Sequence, residues 1–457
     1  MGLSGPAVLF LGVIGLIWVG LYLVGLGRRW GVLVPFGLML LASSTAAALD
    51  YYGNTVTTMW TGFQSRRAMI FLAGGVAAAA VVVMQFGRLA GSRLAVSSLV
   101  LFFIGVYAAL LRFYHGGPAD GAQSFVFAVM TLLPMVFAAP LVGSAGADFV
   151  AVLRSVAVVN AVWGAMVAMQ FLVDSTALTM GNQYRFVGLT GNPQHAGVLL
   201  AFWSAIVLWL LLNDRGKVLR VIYGGLLGAN LIMLAWTGSR TGMGMGVIGF
   251  AAIMYTRMGR AVLFMPVVAV IAYFGFKAVL AVTGLEVGVD RLATLEDTRT
   301  GAWLTLYQTG AESPLFGVGM DEAERSENSW LYAFATYGIG MFALVMVLTL
   351  VAMIEFLRGV KLRSWLPLED RRLLDLCLGI IAMYFAGAVL EGYIISRVHP
   401  SLCIYIIAAG VAAMLCRQAS LARLAAQSHD GSWDEDYAEG GAEGEDGGWA
   451  PWPEASS

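Results

Sequence analysis

AGVLLAFWSAIVLWLLLNDRGKVLRVIYGGLLGANLIMLAWTGSRTGMGMGVIGFAAIMYT (196–256) holds three apolar runs, at 196–212, 221–238 and 242–256, parted by two short polar breaks. A helix of about 20 apolar residues crosses the ~30 Å hydrocarbon layer of a bilayer, and these runs are of that order. The first break, NDRGKVLR (213–220), carries Arg215, Lys217 and Arg220, whereas the second, TGSRTG (237–242), carries only Arg240. Consecutive spans alternate in direction, so the two breaks belong on opposite faces of a membrane.

The same texture extends both ways along the 457-residue chain, which is 59% hydrophobic and only 12% charged. A soluble domain carries about 25% charged residues. The composition excludes a soluble enzyme, a nucleic-acid binder and a secreted disulfide scaffold. Further runs at 6–26, 31–49, 68–87, 95–111, 123–143, 149–173, 261–283, 329–354, 374–390 and 400–416 bring the expected total to about thirteen transmembrane helices. The first reads as a span rather than a cleaved leader, because Met1–Gly5 has no basic residue. The expected fold class is an all-α polytopic membrane protein.

Basic residues in short loops set orientation. Arg28/Arg29, Arg88/Arg93, Arg215/Lys217/Arg220, Arg257/Arg260, Arg358/Lys361/Arg363/Arg371/Arg372 and Arg417/Arg423 follow alternate spans, which makes those loops cytoplasmic. The N-terminus is then outside and the C-terminus inside, leaving 50–67, 112–122, 174–195, 239–241, 284–328 and 391–399 on the outer face.

The chain divides into N-terminal spans (1–173), further spans with a first outer loop and the SRTG break (174–283), a large outer loop (284–328), C-terminal spans (329–416) and a tail (417–457). After residue 424 the tail holds nine of the 28 acids and no Lys or Arg, so the chain before it has 27 basic against 19 acidic residues. Acidic, Gly-rich and poor in aliphatics, it is expected to be disordered in the cytoplasm. Cys377, Cys403 and Cys416 form no CxxC pair and the four histidines are scattered, so neither a metal nor a cofactor is expected.

Polar residues collect in DSTALTMGNQYRFVGLTGNPQHAG (174–197), in the TGSRTG break, and in 285–329. The last contains a short helix, TGAWLTLYQTGAES (300–313), whose Trp303, Leu304 and Tyr307 share a face and which Pro314 closes. Every basic residue expected outside is arginine: Arg66, Arg67, Arg112, Arg185, Arg240, Arg291, Arg299, Arg325 and Arg397. Arginine at a membrane boundary suits bidentate binding of phosphate oxygens. It equally suits snorkelling to headgroups, or a structural ion pair such as Glu391 with Arg397. Glu327 stands just before a span, where it reads either as a functional carboxylate or as a helix-start acid beside a Ser326 cap. His195 in GNPQHAG has the same two readings, ligand or neighbour of a cap.

The segments RFVGLTGNPQHAG (185–197), WTGSRTG (236–242), RTGAW (299–303), PLFGVGM (314–320) and ENSWLYAFATYGIG (327–340) occur in one order. In that order, and all on the expected outer side, they resemble the bacterial O-antigen ligase and O-antigen or exopolysaccharide polymerase superfamily over about 183–343. The resemblance implies a C-type glycosyltransferase-like fold with a large periplasmic loop in the cytoplasmic (inner) membrane. It implies a donor glycan on undecaprenyl pyrophosphate, a glycan acceptor and no metal. A chain-length regulator or a flippase are the protein neighbours it suggests. Matching positions are Arg185, Asn192, Pro193, Ser239, Arg240, Arg299, Trp303, Pro314, Gly317, Gly319, Asn328, Tyr337 and Gly338. Ligases of the family carry His before the Asn of the last motif, as the proposed base. This chain has Glu327 there, which looks more like the polymerase branch.

A sugar on pyrophosphate already has a good leaving group and needs charge stabilisation more than a general acid. The expected mechanism has Arg185, Arg240 and Arg299 holding the pyrophosphate. Glu327 would accept the proton of the acceptor hydroxyl during an inverting displacement. Asn192, His195, Ser239, Trp303, Asn328 and Arg397 are expected to line the site. The alternatives are a ligase that moves glycan onto a lipid A core and, from another class, a lipid-linked sugar transporter or flippase. For the transporter, Arg154, Lys277 and Glu391 would mark a path. The missing repeat symmetry argues against it.

Overall fold

The computed structural model describes residues 36–430, except 38, 42, 46–47, 50–54, 57–59, 61–66, 144–145, 181–184, 265–266, 268–269, 272–273, 276–298, 321, 324–326 and 396–399. The helices are, in order, α1 (Arg67–Met84), α2 (Val96–His115), α3 (Pro118–Phe127), α4 (Leu133–Gly143), α5 (Gly146–Val173) and α6 (Pro193–Asn213). Then follow α7 (Lys217–Trp236), α8 (Arg240–Met258), α9 (Arg299–Glu312), α10 (Ser329–Leu362), α11 (Leu368–Leu390) and α12 (Pro400–Asp430). A π-helical turn, Ala128–Leu132, joins α3 to α4. Among the described residues the strands are two antiparallel ribbons of two residues each: β1 (Ala48–Leu49) with β2 (Thr55–Val56), and β3 (Thr179–Met180) with β4 (Arg185–Phe186).

Nine helical stretches among the described residues are long and apolar enough to cross a membrane, and each falls on one of the expected runs. The molecule is an all-helical, membrane-embedded polytopic protein. The expected runs at 6–26, 31–49 and 261–283 lie wholly or partly outside the described residues. The run at 68–87 falls on α1, whose apolar stretch Ile70–Val83 is shorter than the rest.

Burial separates the centre of the bundle from its rim. In α6, α11 and α12 between 72 and 78% of the apolar window is buried, against 17% in α7. The rim helices turn outward side chains such as Val221, Ile222 and Ile232 of α7 and Leu350, Met353, Ile354 and Leu357 of α10. A continuous apolar surface of that kind needs lipid rather than water against it.

The loops segregate to the two ends as alternation of spans requires. At one end Arg154 Nη2 meets Asp214 Oδ2 at 2.9 Å, and Arg257 Nη2 donates to the Leu212 carbonyl at 2.8 Å. Glu355 Oε1 accepts from Val96 N there at 2.6 Å. This basic end gathers the arginine-bearing loops, and the opposite end gathers the polar segments singled out in the sequence. Helix α12 runs on through the first part of 417–457 to Asp430, since RQASLARLAAQ (417–427) is built largely of strong helix formers. The acidic remainder lies outside the described residues.

Candidate active site

Three of the helices that begin at the polar end each start with a residue that caps them. Asn192 Oδ1 accepts from Gln194 N at 2.8 Å, with Pro193 at the first helical position of α6. Ser239 Oγ accepts from Gly242 N at 3.1 Å at the start of α8. Asn328 Oδ1 accepts from Trp330 N and Leu331 N, at 3.1 and 3.2 Å, at the start of α10. These side chains satisfy helix N–H groups that would otherwise lack partners. Asn328 does so at φ +64°, a left-handed conformation that Asn tolerates better than most side chains. The cap of α10 therefore falls on Asn328, and Glu327 stands one residue outside the helix; Ser326 is outside the described residues.

Between these helix starts lies a charged cluster. Arg299, the first residue of α9, donates Nη1 to the Leu390 carbonyl at 2.6 Å and Nη2 to Gln194 Oε1 at 3.1 Å. The same guanidinium faces two carboxylates, Glu391 Oε1 at 2.9 Å and Glu327 Oε2 at 3.4 Å. Thr241 Oγ1, in the first turn of α8, donates to Glu391 Oε1 at 3.2 Å. Ser329 Oγ, at the start of α10, donates to the Glu391 carbonyl at 2.7 Å. Burial pushes the Glu391 carboxyl up from its ordinary 4.5, Arg299 and Thr241 hold it back, and the balance settles at about 7.

Two polar atoms here are buried with no hydrogen-bond partner among the described residues: Glu327 Oε2 and Trp303 Nε1. Trp303 lies one turn beyond Arg299, on the same side of α9. Leaving such atoms unpaired is costly, and a ligand's hydroxyl or oxygen would pair them.

Arg185 in β4 is buried and donates Nε to the Thr237 carbonyl at 2.8 Å. Thr237 Oγ1 in turn accepts from Ser239 N at 3.1 Å. Arg185 is thereby joined through the TGSRTG break to Thr241, Glu391, Arg299 and Gln194. Arg240 opens α8 with an exposed side chain. His195 is half-buried in the first turn of α6. Arg397 lies outside the described residues.

The PLFGVGM and YGIG motifs meet backbone to backbone. Helix α10 breaks at Gly338, with φ +78°, and the turn segment 314–319 docks in the break. Val318 N donates to Ala335 O at 2.9 Å, Gly319 N to Thr336 O at 3.0 Å and Ile339 N to Pro314 O at 2.8 Å. A Cβ on Gly338 would overlap the Leu315 carbonyl, and one on Gly317 the Thr336–Tyr337 peptide. The fully buried Tyr337 hydroxyl accepts from Arg112 Nε at 2.8 Å. The motif glycines thus fix the loop that leads to Glu327 onto α10.

Of the residues expected from the sequence, the structure brings Arg299 and Glu327 into contact and ties Arg185 to the same network. Gln194, Thr241 and Glu391 belong to it without having been assigned a role in transfer. Glu391 was weighed only as a partner of Arg397 or as part of a transport path. The expected helix 300–313 appears as α9, but its buried residues are Ala302, Leu306 and Gly310, while Leu304 and Tyr307 face outward. Small residues make that contact: the Phe334 ring sits where a Gly310 Cβ would be. Among the described residues no group of three His, Cys, Asp or Glu side chains is placed to hold a metal. Compared with models of known protein families the chain matches none, and a comparison with curated proteins returns no match either.

Proposed function

We propose that this protein is a membrane glycosyltransferase of the O-antigen or exopolysaccharide polymerase type. It joins oligosaccharide repeats carried on undecaprenyl pyrophosphate at the outer face of the bacterial cytoplasmic membrane. The observation that carries the reading is Glu327 Oε2, a buried carboxylate oxygen that faces Arg299 at 3.4 Å and accepts no hydrogen bond among the described residues.

Arg299 Nη1 stands 3.4 Å from Glu327 Oε2 and fixes where that carboxylate, the proposed general base, points. The acceptor hydroxyl would donate to Glu327 Oε2, lose its proton there as it attacks the anomeric carbon, and displace the pyrophosphate in a single inverting step. The leaving group takes the bonding electron pair as oxyanion charge. Exposed Arg240, at the start of α8, would meet it, with buried Arg185 supporting the same break. The positive ends of α6, α8 and α10 converge on this region and add to the field there. Arg299 is already shared by two carboxylates, so its first duty is to orient Glu327. It serves a phosphate only as Glu391 takes up its proton.

The test is genetic. The gene is deleted in its host, wild type or Glu327→Gln is restored, and surface and lipid-linked glycans are resolved by size. Wild type restores a ladder; Glu327→Gln, expressed at the same level, leaves single lipid-linked repeats, a loss of at least about 100-fold in transfer. Full-length glycan stranded on the carrier would make the enzyme a ligase. Normal polymer from Glu327→Gln would remove the assignment of the base.

A further inference from the structure

The basic end of the bundle holds a cavity of 260 Å³ that glycan transfer does not use. Val150 and Arg154 near the start of α5, Trp209 and Asn213 in the last turns of α6, and Arg372 and Leu373 near the start of α11 line it. Three membrane-crossing stretches end there, which puts the cavity at the depth of lipid headgroups rather than in hydrocarbon or bulk water.

Its three arginines and three carboxylates balance in number but are not all paired. Asp214 is occupied: it meets Arg154 Nη2 at 2.9 Å and accepts from Gly216 N at 3.1 Å. Glu369 faces Arg215 at 3.8 Å, but these side chains are 87% and 93% exposed, so the pair is weak and screened. Asp370, the third carboxylate on the wall, immediately precedes Arg371 and Arg372. Arg372 is half-buried, and its Nε is buried with no hydrogen-bond partner among the described residues. Only its main-chain carbonyl is used, accepting from Trp209 Nε1 at 3.0 Å. No carboxylate pairs with it among the described residues, and Arg257 stands within electrostatic range as a second cation. A partly desolvated guanidinium beside another cation is unfavourable unless an oxyanion joins it. Its fork of N–H donors matches two phosphate oxygens.

We propose that this cavity binds a phosphate oxyanion presented by the phosphodiester headgroup of an anionic phospholipid, with Arg372 as the principal contact. The site is independent of the reaction at the other end, and its test needs no glycan substrate.

The full-length protein, purified and delipidated in detergent, is titrated with phosphatidylglycerol, phosphatidylcholine or glycerol 3-phosphate. Bound lipid is counted by native mass spectrometry. The expected result is one tightly held phosphatidylglycerol in wild type, held about tenfold more weakly in Arg372→Gln. Arg372→Lys, which keeps charge but loses the fork, guards against a variant that fails to fold; it is expected to weaken binding less than Arg372→Gln does. Arg371→Gln serves as the control and is expected to bind as wild type, because Arg371, although its Nε is likewise unpartnered among the described residues, does not line the cavity and its Nη2 is spent on the Ser364 and Leu366 carbonyls at 3.2 Å. Equal retention of phosphatidylglycerol in both Arg372 variants, or no preference over phosphatidylcholine, overturns the site. Glycerol 3-phosphate binding as tightly as the lipid would overturn the lipid as its carrier.

Discussion

Arg299 stands between two carboxylates that differ in burial, and the deeper one, Glu391, is the one whose proton affinity the fold changes. Glu391 is the more buried, at 8% side-chain exposure against 26% for Glu327, and burial holds its carboxyl up to about 7. Near neutrality the cluster therefore holds part of a proton on Glu391 while Glu327 has the cation beside it. The sign of the consequence for stability follows from linkage. Between about 4.5 and 7 the unfolded chain has released a proton that the folded chain still keeps, so raising pH lowers stability until it levels off above about 7. We expect the thermal midpoint in detergent to fall with pH over that window in wild type. The fall should shrink in Glu391→Gln. Identical slopes in the two proteins would contradict the placement of Glu391. None of this was legible in the residue order. Arg299 and Glu327 stood out through motif resemblance, whereas Glu391 and Gln194 gain their roles only because α6 and α11 bring them to the same guanidinium.

Among the elements, the break in α10 is the feature most sensitive to a single added methyl group. Gly338→Ala would force an L residue into φ +78° and drive its Cβ into the Leu315 carbonyl. The expected cost is about 2–4 kcal/mol, seen as a lowered unfolding midpoint or failure to accumulate. Gly244→Ala is the matched control. It lies inside α8 with no atom near its added Cβ, and a gain of about 0.5–1 kcal/mol is expected. Equal effects at the two sites would deny the backbone docking of 314–319 against 335–339. Gly242 belongs with Gly338, since its Cβ would overlap the backbone of Gly197, whereas Gly246 meets only the end of Leu234. Sequence pattern placed the spans well because hydropathy over about 20 residues is a strong signal. It did not indicate which face of α9 is buried, because Ala302 and Gly310 pack by being small, which hydropathy does not register.

Over the whole molecule, the arginine-rich loops and the polar segments lie at opposite ends, and the bias of basic residues toward the cytoplasm predicts that the basic end faces inward. Cys377, Cys403 and Cys416 are all buried, so the native background for a membrane-impermeant thiol reagent is low. In intact cells a cysteine replacing exposed Glu322, on the polar end, is expected to label. One replacing Arg215, on the basic end, is expected to label only after the membrane is opened. The reverse pattern would put the candidate site in the cytoplasm and remove the outer-face reaction from consideration.

The central claim is that new glycosidic bonds form at Glu327. Purified protein in liposomes, supplied only with a polyprenyl-pyrophosphate oligosaccharide, tests it most directly, with products resolved by mass. The account predicts dimers and longer oligomers on the carrier from wild type, inverted at the anomeric centre, and none above background from Glu327→Gln. Oligosaccharide that crosses the bilayer unchanged in mass, equally with both proteins, would contradict it and make the molecule a transporter.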